Sequence, residues 1–171
     1  MKINNLPDYF VIGAPKCATT SLFYFLKSSN QISLAESKEP HFLAYNGSNK
    51  FIISSKSDRL QTMPFSKDYN EYLKNFKKDE NTLIGDYSTH YLYYSNRFID
   101  SMKKYYGEKY RSIPIVIILR HPVDRAFSHY SMKIRDLHEK LSFEEAIKKN
   151  IINDRIKKGY LPSFDYIGFS K

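Results

Sequence analysis

Short apolar runs alternate along the chain with longer stretches of mixed apolar and polar residues. The runs at residues 9–13, 82–86 and 113–119 are rich in β-branched and aromatic residues, which predicts β-strands. The first and the last of these runs lack polar alternation and are predicted to be fully buried. A shorter run at residues 31–35 predicts a fourth strand.

The mixed stretches have the spacing of amphipathic helices. Predicted helices cover residues 19–29, 68–76, 97–106 and 122–135. Pro122 suits the first turn of the last of these helices. The sequence Ser142-Phe-Glu-Glu145 is a capping box and predicts the start of one more helix. Residues 46–66 are polar and weakly patterned, which predicts a long loop that could act as a lid.

Strands that alternate with helices favour an α/β fold in three layers, a central parallel sheet flanked by helices. No repeat or linker interrupts the pattern, so residues 1–171 are interpreted as a single domain. Ligands of such sheets bind at the carboxyl ends of the strands. The candidate ligand-binding segments are therefore residues 13–21 and 120–130.

The composition is that of a soluble globular protein, with 42% hydrophobic and 26% charged residues. No signal peptide and no apolar run long enough to span a membrane is present, so we expect a cytoplasmic protein. The single cysteine excludes a disulfide framework and a cysteine-rich zinc site. The net charge of +9 suits an anionic partner, but nucleic-acid binding has nothing else in its favour because basic residues cluster only in pairs.

The loop Gly13-Ala-Pro-Lys-Cys-Ala-Thr-Thr-Ser21 joins a predicted strand to a predicted helix. Backbone N–H groups and the helix dipole favour a phosphate or sulfate at such a helix start. The loop departs from the Walker A pattern, because Ala18 replaces the second glycine and Thr19 the lysine. Its only lysine is Lys16, earlier in the loop. The alternative is a plain junction in which Thr19 or Thr20 caps the helix.

The second candidate segment, residues 120–130, begins with Arg120 just past a predicted strand. The planar guanidinium of Arg120 could bind a phosphate there, and Ser128 lies two turns into the following helix. The alternative is that Arg120 and Arg125 pair with Asp124 or another surface carboxylate, and that Ser128 has no special role.

Taken together, these segments resemble the sulfotransferase family, which uses 3′-phosphoadenosine-5′-phosphosulfate (PAPS). FVIGAPKCATTSL is similar to the family's 5′-phosphosulfate loop, and ILRHPVDRAFSHY is similar to its 3′-phosphate motif. Residues 38–42, KEPHF, and residues 85–92, GDYSTHYL, lie between them in the family's order. The resemblance covers residues 7–171 and is closest to the heparan sulfate sulfotransferases and their bacterial relatives.

The resemblance implies a P-loop-type domain that moves a sulfuryl group from PAPS to a hydroxyl or amine, most naturally of a saccharide, without a metal. By this resemblance the 5′-phosphosulfate would contact Lys16, Cys17, Ala18, Thr19, Thr20 and Ser21, and the 3′-phosphate would contact Arg120 and Ser128. Lys16 would also steady the charge that develops on the departing nucleotide. The resemblance thus explains why the lysine does not occupy the Walker A position: PAPS has no γ-phosphate and the reaction needs no metal.

The resemblance also assigns the base that takes the proton of the acceptor to Glu39. In an extended segment, Glu39 and His41 would point to the same side and both could reach a bound hydroxyl. His41 would assist or bind the acceptor, and Lys38 would contact the acceptor or neighbouring structure. The alternative is that Lys38 and Glu39 are exposed charges and that His41 packs under Phe42.

The chain departs from the family pattern at three positions. Ala18 stands where the family often has glycine, Tyr87 where some heparan sulfate enzymes have lysine, and Thr89 where proline is usual. The family's domain is also longer, which implies that residues 1–171 lack its C-terminal part.

Two other functions stay open at this stage. A non-catalytic module would bind the nucleotide or an acidic sugar without turnover. A P-loop kinase of small molecules would explain the first loop but not the missing Walker lysine, and its dependence on ATP and magnesium would identify it. The acceptor and the oligomeric state are not specified by the sequence.

Overall fold

The structure is a computed structural model that describes residues 6–48, 50–53, 61–62, 65–77 and 79–170. The chain forms two compact units. The first consists of Met1–Ser48 and Pro64–Leu119, and the second of Asn49–Met63 and Arg120–Lys171. The loop of residues 13–21 and Glu39 belong to the first unit, whereas Arg120 and Ser128 belong to the second.

The first unit is built on a parallel sheet. The strands of the described residues are β1 (Tyr9–Gly13), β2 (Ile32–Ser33), β3 (Lys50–Phe51), β4 (Gln61–Thr62), β5 (Leu83–Asp86) and β6 (Ile115–Ile117). The sheet has the order β2-β5-β1-β6, and each neighbouring pair is parallel. All four predicted strands are therefore confirmed, although β2 and β6 are shorter than predicted.

Helices and aromatic side chains cover this sheet. The helices of the first unit are α1 (Thr19–Leu26), α2 (Phe42–Tyr45), α3 (Tyr69–Lys74), α4 (His90–Tyr93) and α5 (Ser95–Tyr106), and a 3₁₀ turn follows at Gly107–Ser112. Phe10 of β1 is fully buried and packs edge-on against Tyr91 of α4 and Phe98 of α5. The predicted helices at 19–29, 68–76 and 97–106 are confirmed, with ends shifted by up to three residues.

The burial predicted for residues 113–119 is wrong. Ile115, Val116 and Ile117 of β6 are 48%, 38% and 47% exposed. Since β6 is the last strand of the described sheet, it pairs with β1 on one side only. An apolar run predicts a strand, but it does not distinguish a covered central strand from an edge strand whose faces are open.

The second unit contains a short antiparallel pair where a long loop was predicted. β3 and β4 pair with Lys50 opposite Thr62 and Phe51 opposite Gln61. The prediction of a loop over residues 46–66 is therefore wrong at these positions. Residues 49, 54–60 and 63–64 of that stretch lie outside the described residues, and so does any test of a lid.

Three helices follow in the second unit, α6 (Pro122–Arg135), α7 (Phe143–Ala146) and α8 (Lys149–Lys158). α6 has the predicted bounds. The capping box at Ser142 and Glu145 is present, but the single helix predicted after it is two helices, α7 and α8. The polypeptide then continues through 3₁₀ turns at Pro162–Phe164 and Gly168–Ser170.

Candidate functional site

The turn after β1 is fixed by its neighbours in the first unit. Ala14 donates to the carbonyl of Ile118, and Ile118 donates to the carbonyl of Gly13, both at 2.9 Å. Gly13 has a φ of +154°, and a Cβ there would lie 2.9 Å from the Cβ of Leu92. Glycine is therefore required where the backbone approaches Leu92 this closely. Together, these contacts fix the path of the backbone as it leaves β1 at the carboxyl edge of the sheet.

The next residues leave backbone donors open at the start of α1. Lys16 and Ala18 have φ of 68° and 64°, a conformation found in backbone nests that bind anions. No side chain caps α1, so the alternative in which Thr19 or Thr20 caps it is wrong. Leu22 makes the first helical hydrogen bond, to the carbonyl of Ala18 at 3.0 Å, and the three preceding N–H groups have no partner within the helix. This set of donors fits an oxyanion.

The side chains of this loop differ in exposure. Cys17 and Thr19 are both 4% exposed, and the Cys17 sulfur lies 3.8 Å from the carbonyl of Pro15. Lys16 is half-buried, and Thr20 and Ser21 are exposed. The buried pair is therefore suited to shaping the loop, whereas the more exposed three are able to present side-chain donors to a ligand.

Tyr87 is a core residue rather than a residue of the ligand-facing surface. It is 1% exposed, and its ring packs edge-on against Phe23 of α1 with centroids 4.9 Å apart. Its hydroxyl lies 2.5 Å from that of Tyr9. Tyr87 thus fixes α1 against the sheet, which explains why an aromatic residue occupies this position.

Glu39 lies at the centre of a polar cluster in the same unit. Its Oε1 is 2.5 Å from Lys38 Nζ, and its Oε2 is 3.1 Å from His41 Nε2. The hydroxyl of Thr89 donates to Oε2 at 3.1 Å. The side chain of Glu39 is 29% exposed, so the cluster lies near the surface of the unit.

The segment that carries Glu39 and His41 is not extended, so the strand geometry considered for it does not apply. Glu39 and His41 have φ of 64° and 54°. The two side chains meet because the backbone curls at these positions, with His41 directly before α2. The alternative in which Lys38 and Glu39 are exposed charges is wrong, since they form an ion pair and are partly buried.

His41 lies behind Glu39 in an aromatic pocket. Its side chain is 3% exposed, and its ring stacks on that of His90 with centroids 4.2 Å apart. The Nδ1 atom of His41 is buried and has no hydrogen-bond partner among the described residues. His90 Nδ1 lies 2.8 Å from the hydroxyl of Tyr45. Glu39 and His41 are thus joined by a polar contact, His41 and His90 by ring stacking, and His90 and Tyr45 by a hydrogen bond.

The surroundings of Glu39 favour its charged form. Burial alone would raise the pKa of its carboxyl group, but the hydrogen bond from His41 and the charges of His41 and Lys38 lower this pKa well below its ordinary value. The carboxylate is thus ionised at neutral pH. Its basicity is correspondingly weak while both partners are in place.

The second unit carries the two residues predicted for a 3′-phosphate. Arg120 is exposed two residues before α6 and forms no ion pair with any described residue. Ser128 is half-buried on α6. Arg125 is 2% exposed and donates to the carbonyl of Tyr166. The alternative in which Arg125 pairs with Asp124 on the surface is therefore wrong.

Sequence reasoning missed the residues that hold the Glu39 cluster together. Asp86, Ser88 and His90 are 0%, 0% and 7% exposed. They all belong to the GDYSTHYL stretch, which the resemblance singled out as a motif without giving its residues a role. The sequence signal that could have found them was an aspartate at the end of a strand followed at once by hydroxyl residues.

Two further observations concern the described residues only. No helix in this part of the chain is long and apolar enough to cross a membrane. No group of three or more His, Cys, Asp or Glu side chains among them is arranged to hold a metal ion.

Comparison with known proteins identifies a structural neighbour. The crystal structure of a sulfotransferase from Alicyclobacillus acidocaldarius matches with a TM-score of 0.78 and 29% sequence identity. The match covers 96% of this chain and 64% of that protein, so this chain spans less than two thirds of its neighbour's length. No family model and no curated protein matches the chain. The neighbour confirms the predicted fold class, a P-loop-like α/β fold with a parallel sheet flanked by helices, and the chain is similar to a bacterial sulfotransferase.

Proposed function

We propose that this chain belongs to a sulfotransferase that takes its sulfuryl group from PAPS. The loop from Gly13 to Ser21 supports this most directly, because it presents open backbone donors at the start of α1. Its lysine precedes the helix instead of occupying the Walker position. The similarity to the Alicyclobacillus sulfotransferase extends over 96% of the chain.

On the donor side, the backbone from Lys16 to Ser21 binds the 5′-phosphosulfate, with side-chain donors from Thr20 and Ser21. Lys16 balances the negative charge that grows on the phosphate oxygen as its bond to sulfur breaks. Arg120, whose guanidinium has no carboxylate partner among the described residues, binds the 3′-phosphate together with Ser128.

On the acceptor side, Glu39 takes the proton of the attacking hydroxyl or amine. Its side chain is partly exposed, whereas that of His41 is buried behind it and assists through Nε2. The charge of Lys38 lowers the pKa of Glu39, so movement of Lys38 toward an anionic acceptor would raise that pKa and strengthen the base. We therefore propose an acidic saccharide as the acceptor. The net charge of +9 and the sequence resemblance to heparan sulfate enzymes favour the same acceptor class.

We further propose that additional polypeptide completes the predicted domain beyond residue 171. The neighbour is longer than this chain, which covers 64% of it. The open faces of β6 support the proposal, because the last strand of a parallel α/β sheet is normally covered on both faces. The cytoplasmic location stays a prediction from the sequence.

The experiment that tests the proposed donor is calorimetric titration of the chain with 3′-phosphoadenosine-5′-phosphate, compared with ADP plus magnesium. We expect at least tenfold preference for the 3′-phosphorylated nucleotide. Arg120→Ala should weaken binding of that nucleotide by about tenfold or more, on the scale of hydrogen bonds to charged groups, and should hardly change binding of ADP. Arg135→Ala removes an exposed arginine that pairs with Asp136 and serves as the matched control.

The outcomes separate the candidate functions. Preference for ADP with magnesium would support a kinase instead. Equal losses for both nucleotides in Arg120→Ala would remove Arg120 from a 3′-phosphate site. Tight binding of the 3′-phosphorylated nucleotide without transfer from PAPS to any saccharide, also in a chain extended beyond residue 171, would indicate a non-catalytic module.

A further inference from the structure

The turn that carries Glu39 needs support from elsewhere in the first unit. Glu39 and His41 both have positive φ, although neither is glycine. Residues other than glycine adopt a positive φ stably only where the surrounding structure fixes their backbone conformation. The groups that hold this turn should therefore be visible as hydrogen bonds to its backbone and side chains.

Asp86, at the end of β5, is the anchor of one such set of bonds. Its carboxylate is fully buried and accepts hydrogen bonds from Ser88 at 2.5 Å, Tyr91 at 2.7 Å and Tyr72 at 3.0 Å. Ser88 in turn accepts from the backbone N–H of His41 at 3.0 Å. The hydroxyl of Ser88 is thus fixed at both ends and ties the backbone of His41 to Asp86.

Thr89 provides a second contact from the same segment. Thr89 is 3% exposed, and its hydroxyl donates a hydrogen bond to Glu39 Oε2 at 3.1 Å. Oε2 also contacts His41 Nε2, while Oε1 contacts Lys38. The segment after β5 therefore fixes both the backbone of His41 and the orientation of the Glu39 carboxylate.

We propose that Asp86, Ser88 and Thr89 are positioning residues that hold Glu39 in the orientation needed to accept the acceptor's proton. This rests on the proposed function, since it deepens the role given there to Glu39. Thr89 acts on the carboxylate itself, and Asp86 acts through Ser88 on His41. The hydroxyl of Thr89 is the contribution that proline, usual at this position in the resembling family, does not make.

The charged and titratable groups around Glu39 define what the test must control. Lys38 and His41 face the carboxylate directly. His90 stacks on His41, and Tyr45 bonds to His90. Substitutions at Ser88 and Thr89 remove single hydroxyl groups and leave all four of these groups in place.

The test measures the titration of Glu39 by carboxyl-carbon NMR in the whole chain, with the resonance assigned by its loss in Glu39→Gln. Thr89→Val removes the hydroxyl at nearly constant volume and should raise the pKa of Glu39 toward its ordinary value. Thr89→Ser restores the hydroxyl and should restore the low pKa. If Thr89→Val does not fold, Thr89→Ala takes its place.

Ser88→Ala should change the same titration, because it releases His41 from Asp86. Ser101→Ala is the matched control: its buried hydroxyl donates to the carbonyl of Leu43 in α2 at 2.8 Å but does not touch Glu39 or His41. We expect Ser101→Ala to leave the titration of Glu39 unchanged. A general loss of packing would affect both serine variants alike.

In turnover with PAPS and a saccharide acceptor, Thr89→Val should lower kcat about tenfold at unchanged KM for the donor. The acid limb of its pH profile should move to higher pH, because the base is lost when its carboxylate is protonated. Unchanged titration of Glu39 in folded Thr89→Val and Ser88→Ala would overturn the positioning role. Failure to bind 3′-phosphoadenosine-5′-phosphate, both by this chain and by a chain extended beyond residue 171, would instead contradict the proposed function, and the NMR titration would still decide the positioning.

Discussion

Two glutamates, one in each unit, have similar partners but different surroundings. Glu39 contacts Lys38, His41 and Thr89 and is 29% exposed at its side chain. Glu139 is 0% exposed at its side chain and pairs with Arg155 at 2.9 Å. Glu139 also accepts from the hydroxyl of Tyr166 and from the backbone N–H groups of Lys140 and Leu141.

The comparison shows that a low pKa does not by itself mark a functional carboxylate. Burial would raise the pKa of both groups, yet the hydrogen bonds that they accept lower it in each case. The difference lies in what remains available. The Glu139 side chain is fully buried, whereas the Glu39 side chain is 29% exposed and lies on a turn with positive φ. The first arrangement suits stability and the second suits chemistry.

The largest expected effect is on turnover. Glu39→Gln should leave binding of 3′-phosphoadenosine-5′-phosphate nearly unchanged and lower kcat at least about a hundredfold, because a general base contributes on the order of 10²–10⁴. The measurement is a sulfuryl-transfer assay beside a calorimetric titration. Unchanged kcat would remove Glu39 from the mechanism and with it the contrast between the two glutamates.

The opposite pattern is expected at Glu139. Glu139→Gln should lower the free energy of unfolding by about 4 kcal/mol, because Arg155 then remains buried without its charged partner. Urea denaturation measures this loss. Glu36→Gln breaks an exposed pair with Lys77 and should cost less than about 1 kcal/mol as the control. Equal losses in the two variants would contradict a structural role for Glu139.

Lys133 tests whether the buried charges of the second unit act on stability. Burial lowers the pKa of Lys133 to about 8, against the opposing charges of Asp136 and Glu139. Between this value and the ordinary pKa of about 10.4, the unfolded chain binds more protons, so stability should rise with pH by at most about 3 kcal/mol. Lys133→Met should remove this rise. Parallel pH profiles for the two proteins would mean that Lys133 is well solvated.

The smallest expected effect concerns the donor loop. Ala18 has a φ of 64°, where glycine carries no steric penalty. Ala18→Gly should therefore stabilise the chain by about 1 kcal/mol or less, since the gain in the fold is partly offset by the freedom of glycine in the unfolded chain. Thermal melting measures the change. A lower melting temperature would show that the Ala18 methyl group contributes packing that outweighs the strain.

The sequence predicted the elements better than their environment. Pro122 and the capping box at Ser142 mark helix starts through local chemistry, and both predictions are confirmed. The β-strand at Ile115–Ile117 was predicted as well, but its exposure was not, because burial depends on what covers the strand. The short pair β3 and β4 was missed, since two-residue strands leave too little pattern to detect.

The candidate site shows the same division. The motif resemblance brought Glu39 and His41 forward, and they do lie in contact, but through a turn with positive φ that strand periodicity does not predict. Ser88 was missed because its role depends on a hydrogen bond from His41, which is more than forty positions away in the chain. Asp86 was missed because its role depends on its burial. Such long-range contacts leave no local periodicity to read.

The exposed face and edge of β6 also bear on how the isolated chain behaves at high concentration. β6 is a run of isoleucine and valine without proline or charge, and its outer edge pairs with no other strand of the described residues. Such an edge can pair with the same strand of another molecule. Such edge-to-edge pairing joins molecules into aggregates through apolar, β-branched segments. Because of the position of this strand, we expect the isolated chain to stay monomeric best at low concentration or with a solubilising fusion partner.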